Sequence, residues 1–304
     1  MKFTLLTLLS LGLCCELFAQ APDVPVYRQG RRQSDYEGSI RAGARALYAS
    51  GEVVKLVMVK EQLKRTSCDL TLPKPRTTKL ASKEICDRAR GSHLRLGWYY
   101  LCNKCDDWHI NLAGSYALTA DGAVATCYHV VQPEREMREG CLLAADEGGQ
   151  VLAVTEVLAA NRYSDACIVR VAARDLKPLP LNTNIFPGDP AYCYSDPLDH
   201  RGYFSAGIVN RFYQFPGRRR INAPLSAAYA PTRVNVSTDW APGSSGSAVL
   251  DEFGNALGHA ATIGAIQEQD VDEQTGDPLP PGPTMIVFHD AVSARDVLRL
   301  VGSR

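Results

Sequence analysis

Residues 237–258 read STDWAPGSSGSAVLDEFGNALG, in which Gly243 precedes two serines and a further glycine and serine follow. A serine hydroxyl attacks a carbonyl carbon when a base accepts its proton and an acid holds that base. A glycine two residues before the nucleophile lets the chain turn, so that the N–H groups of Gly243 and Ser245 can face a developing oxyanion. The segment also fits a flexible loop, but a linker would not lead at once into the apolar run Ala248 to Leu250. We therefore predict Ser245 as a nucleophile.

Two other segments could supply a base and its partner. His129 ends the apolar strand of TADGAVATCYHVV, and Asp165 opens the strand of NRYSDACIVRV. A carboxylate at the entrance to a core must be paired, and an imidazolium formed during catalysis would pair with it. Taken alone, each residue also fits a structural role, as a core histidine or a turn aspartate. Together they give the order His, Asp, Ser, which is that of chymotrypsin and not of subtilisin or the α/β-hydrolases.

The elements that must position these residues are mostly strands. From Leu94 onward the chain has about twelve short apolar or alternating runs separated by Gly, Asp, Asn and Pro, without amphipathic helices between them. This texture predicts an all-β, antiparallel sandwich or barrel. Before it, residues 39–63 fit one broken or two short helices, and Ser82 could cap another. AVSARDVLRLV predicts a short C-terminal helix.

Charge gives no indication of a nucleic-acid or membrane partner. Lys plus Arg and Asp plus Glu number 33 each, so no net field attracts polyanions. Residues 1–21 have a lysine, a short apolar stretch and Ala19 and Ala21 in signal-peptidase spacing. They predict a cleaved signal peptide and a periplasmic or secreted protein, with a lipoprotein signal at Cys14 or Cys15 as the alternative.

Eight cysteines follow the predicted signal peptide, and an oxidising compartment permits disulfides between them. CNKCDDWH places Cys102, Cys105 and His109 in a spacing that zinc could use, with Cys68, Cys86 or His93 as a fourth ligand. In an exported protein we expect instead a disulfide of Cys102 with Cys105 or another cysteine. We expect no cofactor.

Five segments in order resemble the chymotrypsin-fold serine endopeptidases, and among them the bacterial HtrA type. They are LTADGAVATCYHVV, RYSDACIVRV, FPGDPAYCYSDPLDHRGYFSAGIVNRF, TDWAPGSSGSAVLDEFGNALG and MIVFHDAVSARDVL. The resemblance implies two six-stranded antiparallel β-barrels, at about 91–175 and 176–304, with the site in the cleft between them. It implies that Ser245 is the nucleophile, His129 the base, Asp165 its partner, and Gly243 with Ser245 the oxyanion donors.

The chain also departs from that family. Ser247 stands where the family has a second glycine, and we expect no PDZ domain after the peptidase domain. Asp239, six residues before Ser245, occupies the place of the carboxylate that selects Lys or Arg in trypsin-like enzymes, although the HtrA comparison makes it structural. His259 could face substrate, one position out of register.

The sequence as a whole predicts an exported serine endopeptidase that cleaves polypeptides through an acyl-enzyme. Residues 22–90 would form an N-terminal extension with helices and a linker. The alternatives are a catalytically silent, protease-like protein that binds peptides, and an interaction domain built around metal-binding cysteines between residues 68 and 109.

Overall fold

The computed structural model describes residues 26–27, 34–214, 230–268, 275 and 280–302. The predicted signal peptide lies outside these residues, as do GRRR at 217–220, where we expect a solvated hairpin tip, and most of EQDVDEQTGDPLPPGP at 268–283, where we expect a long polar loop. Among the described residues, no helix has the length and apolar character needed to span a membrane.

Three helices precede the first barrel: α1 (Ser34–Ser50), α2 (Leu56–Gln62) and α3 (Ser82–Ser92). Gly51 follows α1 with φ +77°, a conformation that glycine adopts without a steric penalty. Ile40 and Ala44 of α1 are buried against the outside of the barrel. The residue before α3 is Ala81, whose N–H donates to Glu84 Oε2 at 2.8 Å. The predicted cap at Ser82 was therefore one residue too late.

The first barrel is a closed antiparallel sheet in the order β1-β2-β3-β6-β5-β4. All four residues of β3 are buried, and the single turn α4 follows directly after it. The elements are β1 (His93–Cys102), β2 (Trp108–Ala117), β3 (Ala123–Thr126), α4 (Tyr128–Val131), β4 (Met137–Ala145), β5 (Val151–Asn161) and β6 (Ala166–Val171).

The second barrel closes in the order β10-β11-β12-β9-β8-β7. The predicted chymotrypsin-like fold of two six-stranded barrels is thus confirmed. A C-terminal helix follows β12, with Ser293 Oγ accepting the N–H of Arg295 as its N-terminal cap. The elements are β7 (Pro190–Ser195), β8 (Tyr203–Gln214), β9 (Thr232–Val236), β10 (Ala248–Leu250), β11 (Ala256–Gln267), β12 (Thr284–Ser293) and α5 (Ala294–Leu298).

Each barrel has its own apolar interior, and a third cluster joins the two barrels. That cluster contains Tyr116 and Ile168 from the first barrel and Leu250 and Val292 from the second. Burial of this apolar area fixes the barrels against each other. The segments that carry His129, Asp165 and Ser245 all lie along this junction.

Candidate active site

His129 lies in α4, one turn beyond the buried end of β3. Its ring Nδ1 is 2.9 Å from Asp165 Oδ2 and 3.1 Å from Oδ1. The backbone N–H of His129 donates to Asp165 Oδ1 at 3.0 Å, and the N–H of Tyr128 donates to the Asp165 carbonyl at 3.1 Å. A carboxylate facing Nδ1 favours the tautomer with the proton on Nδ1, so Nε2 is left with its lone pair.

Asp165 precedes β6 in the left-handed backbone region, with φ +62°. Aspartate adopts this region more readily than most residues, and here the turn directs the carboxylate at α4. Burial alone would raise the pKa of Asp165, but the hydrogen bonds from His129 and the positive charge of Arg233 outweigh it and lower that pKa. The carboxylate is therefore held in its ionised form beside the imidazole.

Of the three serines in the glycine-rich bend, only Ser245 is partly exposed; Ser244 and Ser247 are fully buried. The Ser245 carbonyl accepts the N–H of Gly114 in β2 at 2.8 Å, and the N–H of Gly246 donates to the Ala260 carbonyl at 2.7 Å. The bend is thus tied to both barrels. A nucleophile must be reachable by its substrate, so Ser245 is the candidate among the three.

The N–H groups of Gly243 and Ser245 donate to no acceptor in the described part of the chain, whereas the intervening N–H of Ser244 is bonded to the Ala241 carbonyl at 3.0 Å. Gly243 has φ +98°, and a Cβ placed there would lie 2.8 Å from the Asp196 carbonyl oxygen. Glycine is therefore required at this position. These two unpaired N–H groups, one of which belongs to the accessible Ser245 itself, could stabilise an oxyanion.

Ser247, where the resembled family has glycine, is accommodated by a glycine opposite. A Cβ added to Gly114 would lie 1.9 Å from Ser247 Oγ, so the missing side chain at Gly114 leaves room for the hydroxyl. The Ser247 side chain therefore points into the barrel junction and away from the accessible face of the bend.

Sequence reasoning missed the residues that support the bend. The loop between β7 and β8 lies against Gly243, and the Leu198 N–H donates to the Pro242 carbonyl at 2.7 Å. Buried Asp196 holds this loop through His93 Nε2 at 3.2 Å and Arg95 Nε at 3.6 Å. The sequence did contain an indication of this contact. His93 and Arg95 lie at the start of the mostly buried strand β1, and two basic side chains in such a place need a carboxylate nearby.

Arg233, on β9, was also missed. It is 2% exposed, and its Nη1 donates to the Ser164 carbonyl at 2.9 Å, so the second barrel holds the turn that carries Asp165. In the sequence, the signal was a charged residue inside a short strand that alternates polar residues with valines. Arginine in such a place must find buried acceptors.

The two residues proposed for specificity are placed differently. His259 is fully buried, and its Nε2 lies 3.4 Å from the Asp165 carbonyl oxygen, so the suggestion that it faces substrate was wrong. Burial lowers the pKa of His259 to about 4, which keeps it neutral. The Asp239 side chain is exposed, and its carbonyl accepts the Ser205 hydroxyl at 2.9 Å.

Two groups of metal-binding residue types occur in the described residues, each with its ligand atoms within 4.8 Å of one another. We call them the cleft cluster and the hairpin cluster. The cleft cluster is Cys127, His129 and Asp165, and the hairpin cluster is Cys102, Cys105 and His109.

All eight cysteines of the described chain are free thiols, so the structure does not show the expected disulfide at Cys102. In the hairpin cluster Cys105 Sγ faces His109 Nε2 at 3.0 Å, and the N–H of Lys104 donates to Cys102 Sγ at 3.4 Å. Hydrogen bonds from the N–H groups of Lys104 and Cys105 lower the pKa of Cys102.

Residues 114–258 match the family model described as trypsin-like peptidase domain. The matched segment is just under half of the 304 residues and runs from β2 to β11, so it includes His129, Asp165 and Ser245. No curated protein matches the chain.

Among solved structures, the chain is similar to the crystal structure of the serine endoprotease from Yersinia pestis, with 15% identity and a TM-score of 0.47. The alignment covers 72% of this chain and 64% of that chain, so this chain spans less than two thirds of the length of that protein. At this identity and TM-score the likeness supports no conclusion about activity or substrates.

Proposed function

We propose that this trypsin-like peptidase domain is a serine endopeptidase that uses Ser245 as nucleophile, His129 as general base and Asp165 as its orienting partner. The observation that carries the proposal is the contact of His129 Nδ1 with both Asp165 oxygens. This contact leaves Nε2 as the basic nitrogen, as the Ser-His-Asp mechanism requires.

The reaction follows from these positions. Ser245 Oγ attacks the carbonyl carbon of a peptide bond while its proton passes to His129 Nε2, and the resulting oxyanion is held by the N–H groups of Gly243 and Ser245. His129 then gives the proton to the leaving amine. Water, deprotonated by the same nitrogen, hydrolyses the acyl-enzyme and restores the Ser245 hydroxyl.

A second candidate is a protein of the same fold that binds peptides without cleaving them. It is favoured by one observation: among the described residues, no hydrogen bond joins the Ser245 hydroxyl to the His129 ring. Catalytic hydrogen bonds are often long in the absence of substrate and shorten in the Michaelis complex. The two candidates therefore make different predictions about reactivity, not about fold.

The test is intact and peptide mass spectrometry after reaction with a fluorophosphonate. We expect one adduct on Ser245, no adduct in Ser245→Ala or His129→Ala, and an unchanged adduct in Ser247→Ala, whose hydroxyl is buried. Peptidase activity of Ser245→Ala should fall by on the order of 10⁴-fold to 10⁶-fold. A well-folded protein without any adduct would support the silent peptide-binding candidate instead.

Export remains part of the proposal and rests on residues 1–21 alone. Cleavage after Ala21 would give a mature chain that begins with Pro22. Intact mass measurement of the protein from the extracytoplasmic fraction should find this N-terminus. A lipid-modified cysteine at the N-terminus would support the lipoprotein alternative, and a full-length chain in the cytoplasm would contradict export.

A further inference from the structure

The hairpin between β1 and β2 brings three metal-binding side chains together, with Cys102 buried, Cys105 exposed and His109 half-buried. The sulfur and imidazole nitrogen atoms of Cys102, Cys105 and His109 lie within 4.8 Å of one another, and Cys105 Sγ is 3.0 Å from His109 Nε2. Tetrahedral zinc with ordinary Zn–S and Zn–N distances places a sulfur and a nitrogen ligand about 3.6 Å apart. Cys105 Sγ and His109 Nε2 would therefore have to separate by about 0.6 Å to coordinate the same ion.

The backbone around Cys102 is arranged to receive a negative sulfur. The N–H of Lys104 donates to Cys102 Sγ at 3.4 Å, and the Asp106 N–H closes the turn on the Cys102 carbonyl at 3.2 Å. Asp106 itself adopts φ +58°, which lets the chain reverse directly after Cys105. Donors directed at a sulfur hold it as a metal ligand, in the manner of outer-shell groups in metal sites.

The strands fix the third donor. Tyr100 of β1 pairs with His109 of β2 across the antiparallel ladder, and the two rings stack with centroids 5.5 Å apart. Ion pairs from Lys104 to Glu136 at 2.7 Å and from Arg138 to Asp106 at 2.7 Å tie the turn to the start of β4. The three donors thus come from a braced hairpin and not from a mobile loop.

From this arrangement we infer that Cys102, Cys105 and His109 bind one zinc ion. Two thiolates balance the charge of Zn²⁺, and the donor set of sulfur and imidazole is the one that zinc prefers. Binding forms two Zn–S bonds and one Zn–N bond, and the two thiol protons go to solvent. The fourth position is open to water, because the turn supplies three donors.

The site is separate from the proposed reaction. His109 lies five residues before Gly114 on β2, so it is roughly 17 Å along the strand from the contact with the serine bend. The ion would fix the end of the β1–β2 hairpin without touching the peptide bond. Its loss should therefore leave acylation of Ser245 intact.

The experiment uses the full chain without a histidine tag, reduced with a phosphine and freed of metal by a chelator. We expect about one zinc per chain by elemental mass spectrometry, and Co²⁺ should give tetrahedral ligand-field bands with a thiolate-to-cobalt charge-transfer band. Cys105→Ser should abolish the charge-transfer band, and His109→Ala should weaken binding by more than the roughly 10-fold to 100-fold cost of losing an outer-shell partner.

Cys86→Ser is the matched control, because Cys86 is a partly accessible thiol outside the hairpin, and it should bind zinc like the wild type. Ser245→Ala should also keep its zinc, so failure of the proposed peptidase function and failure of the zinc site are distinguishable. Absence of a cobalt spectrum from reduced, folded wild type would overturn the inference, as would undiminished zinc in Cys105→Ser. A Cys102–Cys105 disulfide that forms with zinc present would overturn it as well.

Discussion

The cleft cluster and the hairpin cluster contain similar residue types, but their cysteine sulfur atoms have opposite hydrogen-bond partners. In the cleft cluster the Cys127 sulfur lies 3.2 Å from the Ala260 carbonyl oxygen, to which its S–H donates. In the hairpin cluster the Cys102 sulfur accepts a backbone N–H. A sulfur that faces a carbonyl keeps its proton, whereas a sulfur that faces N–H groups can lose it.

The histidines differ in the same manner. Nδ1 of His129 faces a carboxylate that holds it as a proton donor, and this orients the ring as the proposed proton transfer requires. His109 Nε2 faces a thiol, which can become a fellow ligand but not an orienting acid. Under the two proposals, proximity of Cys and His side chains does not by itself determine function, and the partners of each atom decide between proton transfer and metal binding.

The largest effect that tests this comparison is expected from Asp165→Asn. The amide can no longer hold His129 in the tautomer with the proton on Nδ1, so kcat/KM should fall by about 10⁴-fold. The measurement is a peptidase assay, and the control variant is Asp121→Asn. Asp121 is an exposed aspartate paired with Arg170, so its replacement should leave the activity unchanged. Zinc content should be unchanged in both. A drop smaller than about tenfold would mean that the cleft cluster is not organised for proton transfer.

A smaller effect concerns His259, which lies beneath Asp165 without a carboxylate partner. Burial lowers its pKa to about 4 in the folded protein, against about 6.5 in an unfolded chain. The unfolded state therefore binds more protons between these values, and stability falls as the pH drops from 6.5 towards 4, by roughly 3 kcal/mol in total.

His259→Gln keeps a donor towards the Asp165 carbonyl but cannot titrate. Urea unfolding of both proteins at pH 8 and pH 4 should show a smaller loss of stability on acidification in the variant. The difference between the two proteins in free energy of unfolding at pH 8 serves as the reference. Charged and titratable neighbours of this ring are Asp165, Arg233 and His129, and all three remain in both proteins. Equal losses of stability on acidification would show that His259 is not the group responsible.

Much of the fold and of the cleft could be predicted from the sequence because each piece had a local signal. Short alternating runs predicted strands, and the order of His129, Asp165 and Ser245 limited the choice of architecture. Contacts between distant segments had no such signal. That Gly114 makes room for Ser247 depends on the packing of β2 against the bend. The burial of His259 under Asp165 also follows from how the barrels meet, which spacing along the chain does not encode.

The smallest effect is expected from Cys127→Ala. This variant tests most directly whether the sulfur of the cleft cluster differs in role from the sulfur atoms of the hairpin cluster. Burial raises the pKa of Cys127 well above its ordinary value, so it acts as a small apolar side chain and not as a ligand. Its replacement leaves a small cavity and should lower the free energy of unfolding by about 1 kcal/mol, with activity within a few fold. Zinc content should not change, whereas Cys102→Ser should lose it. If Cys127→Ala instead lowered zinc content, the metal would lie in the cleft, and the distinction between a protonated and a ligating sulfur would fail.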